Sequence, residues 1–344
     1  MHPFTLDPAR PGPAEALLGA VITEEVKADG KRLFHKGHRL GPDDLAALAR
    51  VDRPLHAVRL EAGDVHEDEA GRRLAAAVAG DGLSVRGPVQ SRYNLVAAVK
   101  GLLRVDPDAI TALNRLPGIA VFTLQDRLPV LPGRIVAGVK ITPVAVPEAT
   151  LREAEAMAAA RPTLRVAAFR PLRVGVVTTE GLSEKLRERF RETVRRKLGW
   201  YGASVLRFED LANDPDAVAP AIEGLIGDGA DLVLTGGGNT IDPLDPTLVA
   251  LPRIGAEIVK FGAPAHPGSM FWLARRGGVP IFNLASCSMY SKATVADLIL
   301  PWIMAGERVS ADDLAALGYG GLLDRGMVFR FPDYERDTAD DEDE

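Results

Sequence analysis

The stretch Asp231-Leu232-Val233-Leu234-Thr235-Gly236-Gly237-Gly238-Asn239-Thr240-Ile241-Asp242-Pro243-Leu244-Asp245 decides the reading of the fold. Leu232 to Leu234 form a short, wholly apolar run, the look of a strand covered on both faces. Three glycines follow at once. A strand that ends directly in glycines lets the chain turn sharply and come close to a ligand. Successive backbone N–H groups then point at an anion. In an open α/β sheet such a loop lies at the carboxyl end of a strand, where ligands bind. Asp242 and Asp245 stand three residues apart after the glycines, with Thr235, Asn239 and Thr240 as short polar neighbours. The pair reads either as carboxylates facing one Mg²⁺ or a reacting phosphate, or as caps of the helix that follows. The spacing is neither Gly-x-Gly-x-x-Gly nor a Walker loop.

Outward from this stretch, strand and helix patterns alternate. Leu172 to Thr178 is a second buried strand, and Ser183 to Leu198 is a charged helix with Leu186, Phe190, Val194 and Leu198 at four-residue spacing. A strand at Ala203 to Phe208 leads to a helix opened by Asp214-Pro215. Further strands are expected at Ala256 to Phe261 and Val279 to Leu284, and a last helix at Tyr290 to Met304. Strands separated by helices of this length make βαβ units and a mostly parallel sheet. The first half is less regular. Helices are expected at Ala14 to Val26, Pro42 to Val51, Asp64 to Ala79 and Glu148 to Ala160, with strands at His56 to Leu60 and Arg134 to Pro143. An α+β domain over residues 1–168, an α/β domain over 169–320 and a disordered acidic tail over 333–344 follow from this reading.

Bulk properties narrow the function classes. At 47% hydrophobic and 26% charged residues the 344-residue chain is of ordinary globular type, with length for two domains. No apolar run approaches the roughly 18 residues of a membrane span. The start of the chain lacks a signal-peptide pattern. Cys287 is the only cysteine, which suits a reducing compartment, so a cytoplasmic protein is expected. Eight acids and one arginine between Asp333 and Glu344 account for more than the whole net charge of −6. The acidity therefore describes the tail and not the ligand. No basic stripe interleaved with aromatics points to nucleic acid.

Two more clusters follow predicted strands. Lys260-Phe261-Gly262-Ala263-Pro264-Ala265-His266-Pro267-Gly268-Ser269-Met270 is a stiff loop expected to deliver Pro267, Gly268 and Ser269 to a helix N-terminus, which favours anions. His266 between prolines is either a titrating group or simply solvated. Asn283-Leu284-Ala285-Ser286-Cys287-Ser288-Met289-Tyr290-Ser291-Lys292 offers Ser286 and Ser288 to a phosphate, with Lys292 as counter-charge. Cys287 is either a soft thiol for a metal or dithiolene, or a small residue in a tight turn. Three such loops at strand ends of one sheet make a pocket for an anionic, hydrogen-bonding ligand.

Together these clusters resemble the molybdopterin-binding domain shared by molybdopterin adenylyltransferases and molybdopterin molybdenumtransferases. Gly-Gly followed by paired aspartates and the "Pro-Gly" loop carry the likeness. The Leu284-Ala285-Ser286-Cys287-Ser288 turn departs from the transferases' Leu-Pro-Gly-Asn-Pro. The resemblance extends upstream through Gly63-Asp64-Val65-His66-Glu67-Asp68-Glu69-Ala70, Tyr93-Asn94-Leu95, Gly101 to Asp106 and Val139 to Pro143, as in a subgroup of bacterial molybdopterin-binding proteins. It implies a three-layer α/β/α sandwich and a dimer or trimer. It implies molybdopterin, bare or nucleotide-linked, as ligand, with Mg²⁺ held by Asp242 and Asp245 and molybdate as substrate. Gly236, Gly237 and Gly238 match the phosphate-facing backbone, and Gly268 with Ser269 match the second loop. Thr178-Thr179-Glu180-Gly181 is a rearranged form of the family's first turn, with Glu180 as a ligand-facing acid. Two activities are open: molybdate insertion with nucleotide release, or a carrier that serves a cofactor nucleotidyltransferase or a molybdoenzyme.

Overall fold

Strand β9 (Arg173–Thr178) is the first strand of the second half and the pivot of its sheet. Val174 and Val176 enter one apolar core and Val177 the other, so both faces are covered, as the unbroken apolar run requires. Helix α3 (Glu184–Trp200) leads to β10 (Ser204–Asp210), and α4 (Pro215–Gly227) returns the chain to β11 (Leu232–Gly236). Helix α5 (Pro246–Arg253) precedes β12 (Glu257–Phe261), β13 (Trp272–Arg276), β14 (Val279–Leu284) and α6 (Val295–Met304). The sheet order is β10-β9-β11-β14-β13-β12. The first four strands are parallel, while β13 is antiparallel to both β14 and β12.

Two consequences follow. Because β12 is antiparallel to an antiparallel strand, the carboxyl ends of β9, β10, β11, β12 and β14 all lie along one sheet edge. The chain also passes to opposite sides of β9, toward β10 and then β11, so this edge carries a topological switch point. Phe190, Val194 and Leu198 of α3 pack with α6 on one face, and Val218, Ile222 and Leu225 of α4 with Ala250 and Leu251 of α5 on the other. The second half is the expected α/β/α sandwich.

The computed structural model describes residues 1–10, 17–179, 181, 183–237, 241–284 and 293–337. In the first half, β1 (Val26–Ala28) and β2 (Lys31–Phe34) form a hairpin over a small core of Ile22, Phe34, Leu48 and Leu55. A second core lies between α1 (Glu67–Val78), α2 (Glu148–Ala160) and an antiparallel sheet. That sheet has β3 (Leu83–Val89), β4 (Arg92–Ala97), β6 (Ile119–Thr123) and β7 (Ile135–Ile141) in the order β6-β7-β4-β3. Strands β5 (Gly101–Val105) and β8 (Leu164–Ala168) close its flank. Among the described residues the first 168 thus hold these two cores and a small third cluster of Val21, Val58 and Val144, where one domain was expected. The helix expected to end at Val26 is replaced by strand at Val21–Ile22, where two β-branched residues follow Gly19 in a left-handed conformation.

The boundary expected at residue 320 is also corrected. Leu323, Phe331 and Tyr334 are buried in the same core as α3 and α6. Trp200 Nε1 donates to the Arg336 carbonyl at 2.8 Å, and the Tyr334 hydroxyl donates to Asp297 at 2.8 Å. Asp333 to Asp337 therefore belong to the folded unit, because the acids there alternate with one aromatic that has a buried seat. Of the expected tail, only residues 338–344 fall outside the described residues.

Candidate functional site

Thr235 and Gly236 close β11 in the middle of the sheet edge, and both are buried. A Cβ on Gly236 would stand 2.8 Å from the Phe190 ring, so glycine is required there for α3 to cover the strand. Gly237 takes a left-handed backbone (φ +85°), which aims the chain out of the sheet. Gly238, Asn239 and Thr240 lie outside the described residues.

The chain re-emerges at the aspartate pair. Asp242 is exposed, and its Oδ1 accepts from the Leu244 N–H at 2.9 Å. The Asp245 N–H donates to the Asp242 carbonyl at 3.0 Å. Asp245 itself is buried and caps α5, its Oδ1 accepting from the Thr247 N–H at 2.9 Å. Both aspartates thus have a structural task in the turn, the capping half of the two readings open at the sequence level. One oxygen of each carboxylate is engaged by a backbone N–H in this way, and carboxylate oxygens are the donor type that hard cations take.

The second loop meets the same edge from β12, as expected, but leads into strand β13 and not into a helix. It does reach a helix N-terminus in space, that of α6. The Val295 N–H donates to the Pro267 carbonyl at 3.2 Å, and Gly268 (φ +113°) lies so close that a Cβ would stand 2.8 Å from the Val295 nitrogen. Ser269 is exposed beside it. The His266 backbone is held on both sides, its N–H donating to Gly321 O and its carbonyl accepting from Leu323 N–H, each at 2.8 Å. Its imidazole is exposed. Glu180, Ser286, Cys287, Ser288 and Lys292 lie outside the described residues.

Residues that sequence reasoning passed over complete the frame. Asn283, buried at the end of β14, accepts from Trp272 N–H at 2.7 Å and donates to the Met270 carbonyl at 2.9 Å, so it fastens the second loop to the central sheet. A polar residue ending an apolar strand was the available signal. At the end of β10, Asp210 receives the Thr178 hydroxyl at 3.2 Å and pairs with Arg187 and Arg191 of α3. Thr179, next to Thr178, is buried, and its hydroxyl has no partner among the described residues. Beneath the α6 N-terminus, Asp297 is almost wholly buried. One oxygen accepts from the Thr294 N–H and hydroxyl, and the other from Lys197 Nζ at 2.8 Å and Tyr334. Burial and the Asp297 carboxylate push the Tyr334 hydroxyl well above its ordinary pKa, so it remains a donor.

A strand-end glycine loop, a left-handed Pro-Gly turn against a helix start and a third strand end share one edge, and this spacing is that of a sequence family. The family described as "probable molybdopterin binding domain" matches residues 173–305, from the first residue of β9 to just past α6. The α/β half of this chain matches that family. Among solved structures, the chain is similar to the molybdopterin biosynthesis MoeA protein from Pyrococcus horikosii, at 14% identity and TM-score 0.32, over 70% of this chain and 79% of that one. It is similar to the molybdopterin biosynthesis Mog protein from Mycobacterium ulcerans at 16% identity and TM-score 0.32, over 42% of this chain and 100% of that one. A CinA protein from Thermoplasma acidophilum matches at 14% identity and TM-score 0.30, over 38% of this chain and 95% of that one. No curated protein matches the chain. Among the described residues no helix is long and apolar enough to cross a membrane.

Proposed function

We propose that the sheet edge formed by β9, β11, β12 and β14 binds molybdopterin, and that the chain promotes molybdate insertion with release of nucleotide from an adenylylated form. The observation that carries this reading is the convergence at one edge of the Gly236-Gly237 strand end, the Asp242–Asp245 turn and the Pro267-Gly268 loop, all within the family match. The phosphate is assigned to the backbone N–H groups after β11 and to the serine-bearing third loop, with Ser286, Cys287 and Ser288 as contacts. Arg187 and Arg191 on α3 stand beside β9, paired with Asp210 at the end of β10.

The aspartate pair fits Mg²⁺ as two oxygen donors whose carboxylates are already oriented by backbone N–H groups, the arrangement by which outer partners aim first ligands. The ion would supply charge neutralisation at the phosphate bond. The chain's own part is to position the dithiolene and keep the nucleotide phosphate against the glycine backbone. A second reading, favoured by the engagement of both aspartates in the turn and cap, is a carrier that delivers cofactor to a nucleotidyltransferase or molybdoenzyme. A homo-oligomer suits either.

The test is molybdate-dependent release of nucleotide from adenylylated molybdopterin, with Mg²⁺ varied, for the parent chain, Asp242→Asn and Asp245→Asn. Insertion chemistry predicts a loss of about 10²-fold or more in release with little loss of pterin binding. Tight binding with no release leaves the carrier. Release indifferent to both substitutions removes the pair from the mechanism.

A further inference from the structure

The motif Asp64-Val65-His66-Glu67-Asp68-Glu69-Ala70 has no part in the sheet-edge site, yet it builds the most unusual polar environment in the first half. His66 caps α1: its Nδ1 accepts from the Asp68 N–H at 3.3 Å, and its Nε2 donates to the Gly37 carbonyl at 3.0 Å. That bond draws the chain after β2 across the start of α1. Gly37 is left-handed (φ +83°), and a Cβ there would stand 2.1 Å from Glu67 Oε1. Only a glycine leaves room for this carboxyl.

Glu67 is 3% exposed, and its Oε1 has no hydrogen-bond partner among the described residues. A buried carboxylate oxygen without a donor costs free energy comparable to a lost charged hydrogen bond. Burial holds its pKa above the usual carboxylate range, although the Ser91 hydroxyl and neighbouring cations favour the charged form. The side chain lines a cavity of about 550 Å³, of the size that takes nucleotides and heterocyclic cofactors. Its wall holds the flat His35 ring, the apolar Pro88 ring, the cations Arg32, Lys36 and Lys140, and two further carboxylates, Glu25, which pairs with Arg32, and Asp68. The hairpin between β3 and β4 closes it with Gln90 and Ser91, both left-handed (φ +49° and +63°). The β1–β2 hairpin places Asp29-Gly30 at its own turn, the residues suited to that conformation. The strained non-glycine pair therefore stands where its side chains face the cavity's lining.

We infer that this cavity is a second ligand site, specific for a planar 2-amino-4-oxopyrimidine edge joined to an oxyanion. A carboxylate accepts only, and that edge presents N–H donors, one of which can serve Glu67 Oε1, the buried oxygen without a donor, while the Ser91 hydroxyl serves the same carboxyl. A soft terminal torsion lets the carboxyl turn to meet it. The flat His35 ring and the apolar Pro88 ring supply contacts to the ligand's faces, and Lys36 receives the anion with Lys140, whose ammonium also donates to the Gln90 carbonyl. The edge belongs to guanine nucleotides and to pterins alike. The inference rests on residues in the first half and stands whether or not the sheet edge binds molybdopterin.

Calorimetric titration of the full chain with GMP and with pterin-6-carboxylate tests it. At least one should bind, and a GMP-only or pterin-only result identifies the source. The isosteric Glu67→Gln should weaken binding by about 10-fold or more. IMP or lumazine-6-carboxylate, which lack the 2-amino donor, should bind at least about 10-fold more weakly than their partners. Lys36→Ala should weaken GMP more than guanosine. In a Gly237→Val background, with the sheet edge blocked, the same losses should persist. Failure of both probes to bind, binding indifferent to Glu67→Gln, or equal binding of the des-amino analogues overturns the assignment.

Discussion

Replacing Lys197 by Met tests how the start of α6, and with it the second loop, is held in place. Methionine keeps most of the aliphatic stem but removes the ammonium that stands 2.8 Å from Asp297 Oδ1. The pair is shielded on both sides, with side chains 6% and 1% exposed, so solvent cannot compensate the remaining charge. Breaking a buried pair by removing one partner costs about 3–5 kcal/mol. The lower half of that range is expected, because Asp297 retains the Thr294 N–H, the Thr294 hydroxyl and the Tyr334 hydroxyl as donors. If the α/β half melts as a unit, a loss of about 3 kcal/mol lowers its Tm by on the order of 10 °C. Urea unfolding followed by tryptophan fluorescence is suitable, since Trp200 lies in the same core. Adding Asp297→Asn should restore a large part of the loss, because asparagine still accepts from Thr294 while carrying no charge. Pterin affinity should fall with stability, since Val295 carries the second loop through Pro267. A loss below about 1 kcal/mol, or no recovery in the double variant, would refute the claim that the charge pair holds this corner.

Three further outcomes are expected. Gly268→Ala forces a side chain into a glycine-only conformation and against the Val295 nitrogen, so about 1–3 kcal/mol of stability should be lost together with ligand affinity; unchanged thermal melting counts against the close approach. Glu67 has a folded pKa above its unfolded value, so its contribution is fully present below about pH 4.5 and is lost as pH rises through the folded pKa. Glu67→Gln, which mimics the neutral form, should therefore melt higher than the parent chain at pH 8 and equally at pH 4; parallel curves at both pH values would exclude a buried, unpartnered charge. Glu148, held at about 2 by Arg73 and then Arg152, is the opposite case: its contribution is present above pH 4.5 and lost as pH falls toward 2, so Arg73→Gln should flatten acid unfolding over that window.

Legibility in the sequence followed the kind of burial each element has. The central strands β9, β11 and β14 are largely buried, so each is an apolar run between helices, and the half-exposed edge strands β10 and β12 still carry enough apolar residues for all five to be read directly. Strand β13 could not. It is an antiparallel insert, Trp272-Leu273-Ala274-Arg275-Arg276, whose charged end resembles a loop. The antiparallel sheet of the first half carries half-exposed strands such as Leu83–Val89, which hold too little apolar pattern to stand out. At the site, glycine and proline spacing located the loops because backbone geometry depends on local residue type. What each aspartate bonds to was not legible, since Asp242 and Asp245 suit a metal, a turn and a cap equally well. Asn283, Arg191 and Asp297 work through contacts between residues far apart in the chain, and no spacing rule reports those.

The seating of Tyr334 and Arg336 bears on how the chain is made. Phe169, Trp200, Tyr201 and Tyr334 form one aromatic cluster, and Lys100 lies over the Trp200 ring while pairing with Asp337. On a ribosome, every strand of the sheet emerges before residues 331–337 do. Until they arrive, the nascent domain exposes the edge of Trp200 and leaves Asp297 one donor short. Residues 331–337 thus act as a latch on a sheet made before them: a chain cut short ahead of them would retain its strands but show an aromatic face of the kind that holdase chaperones bind.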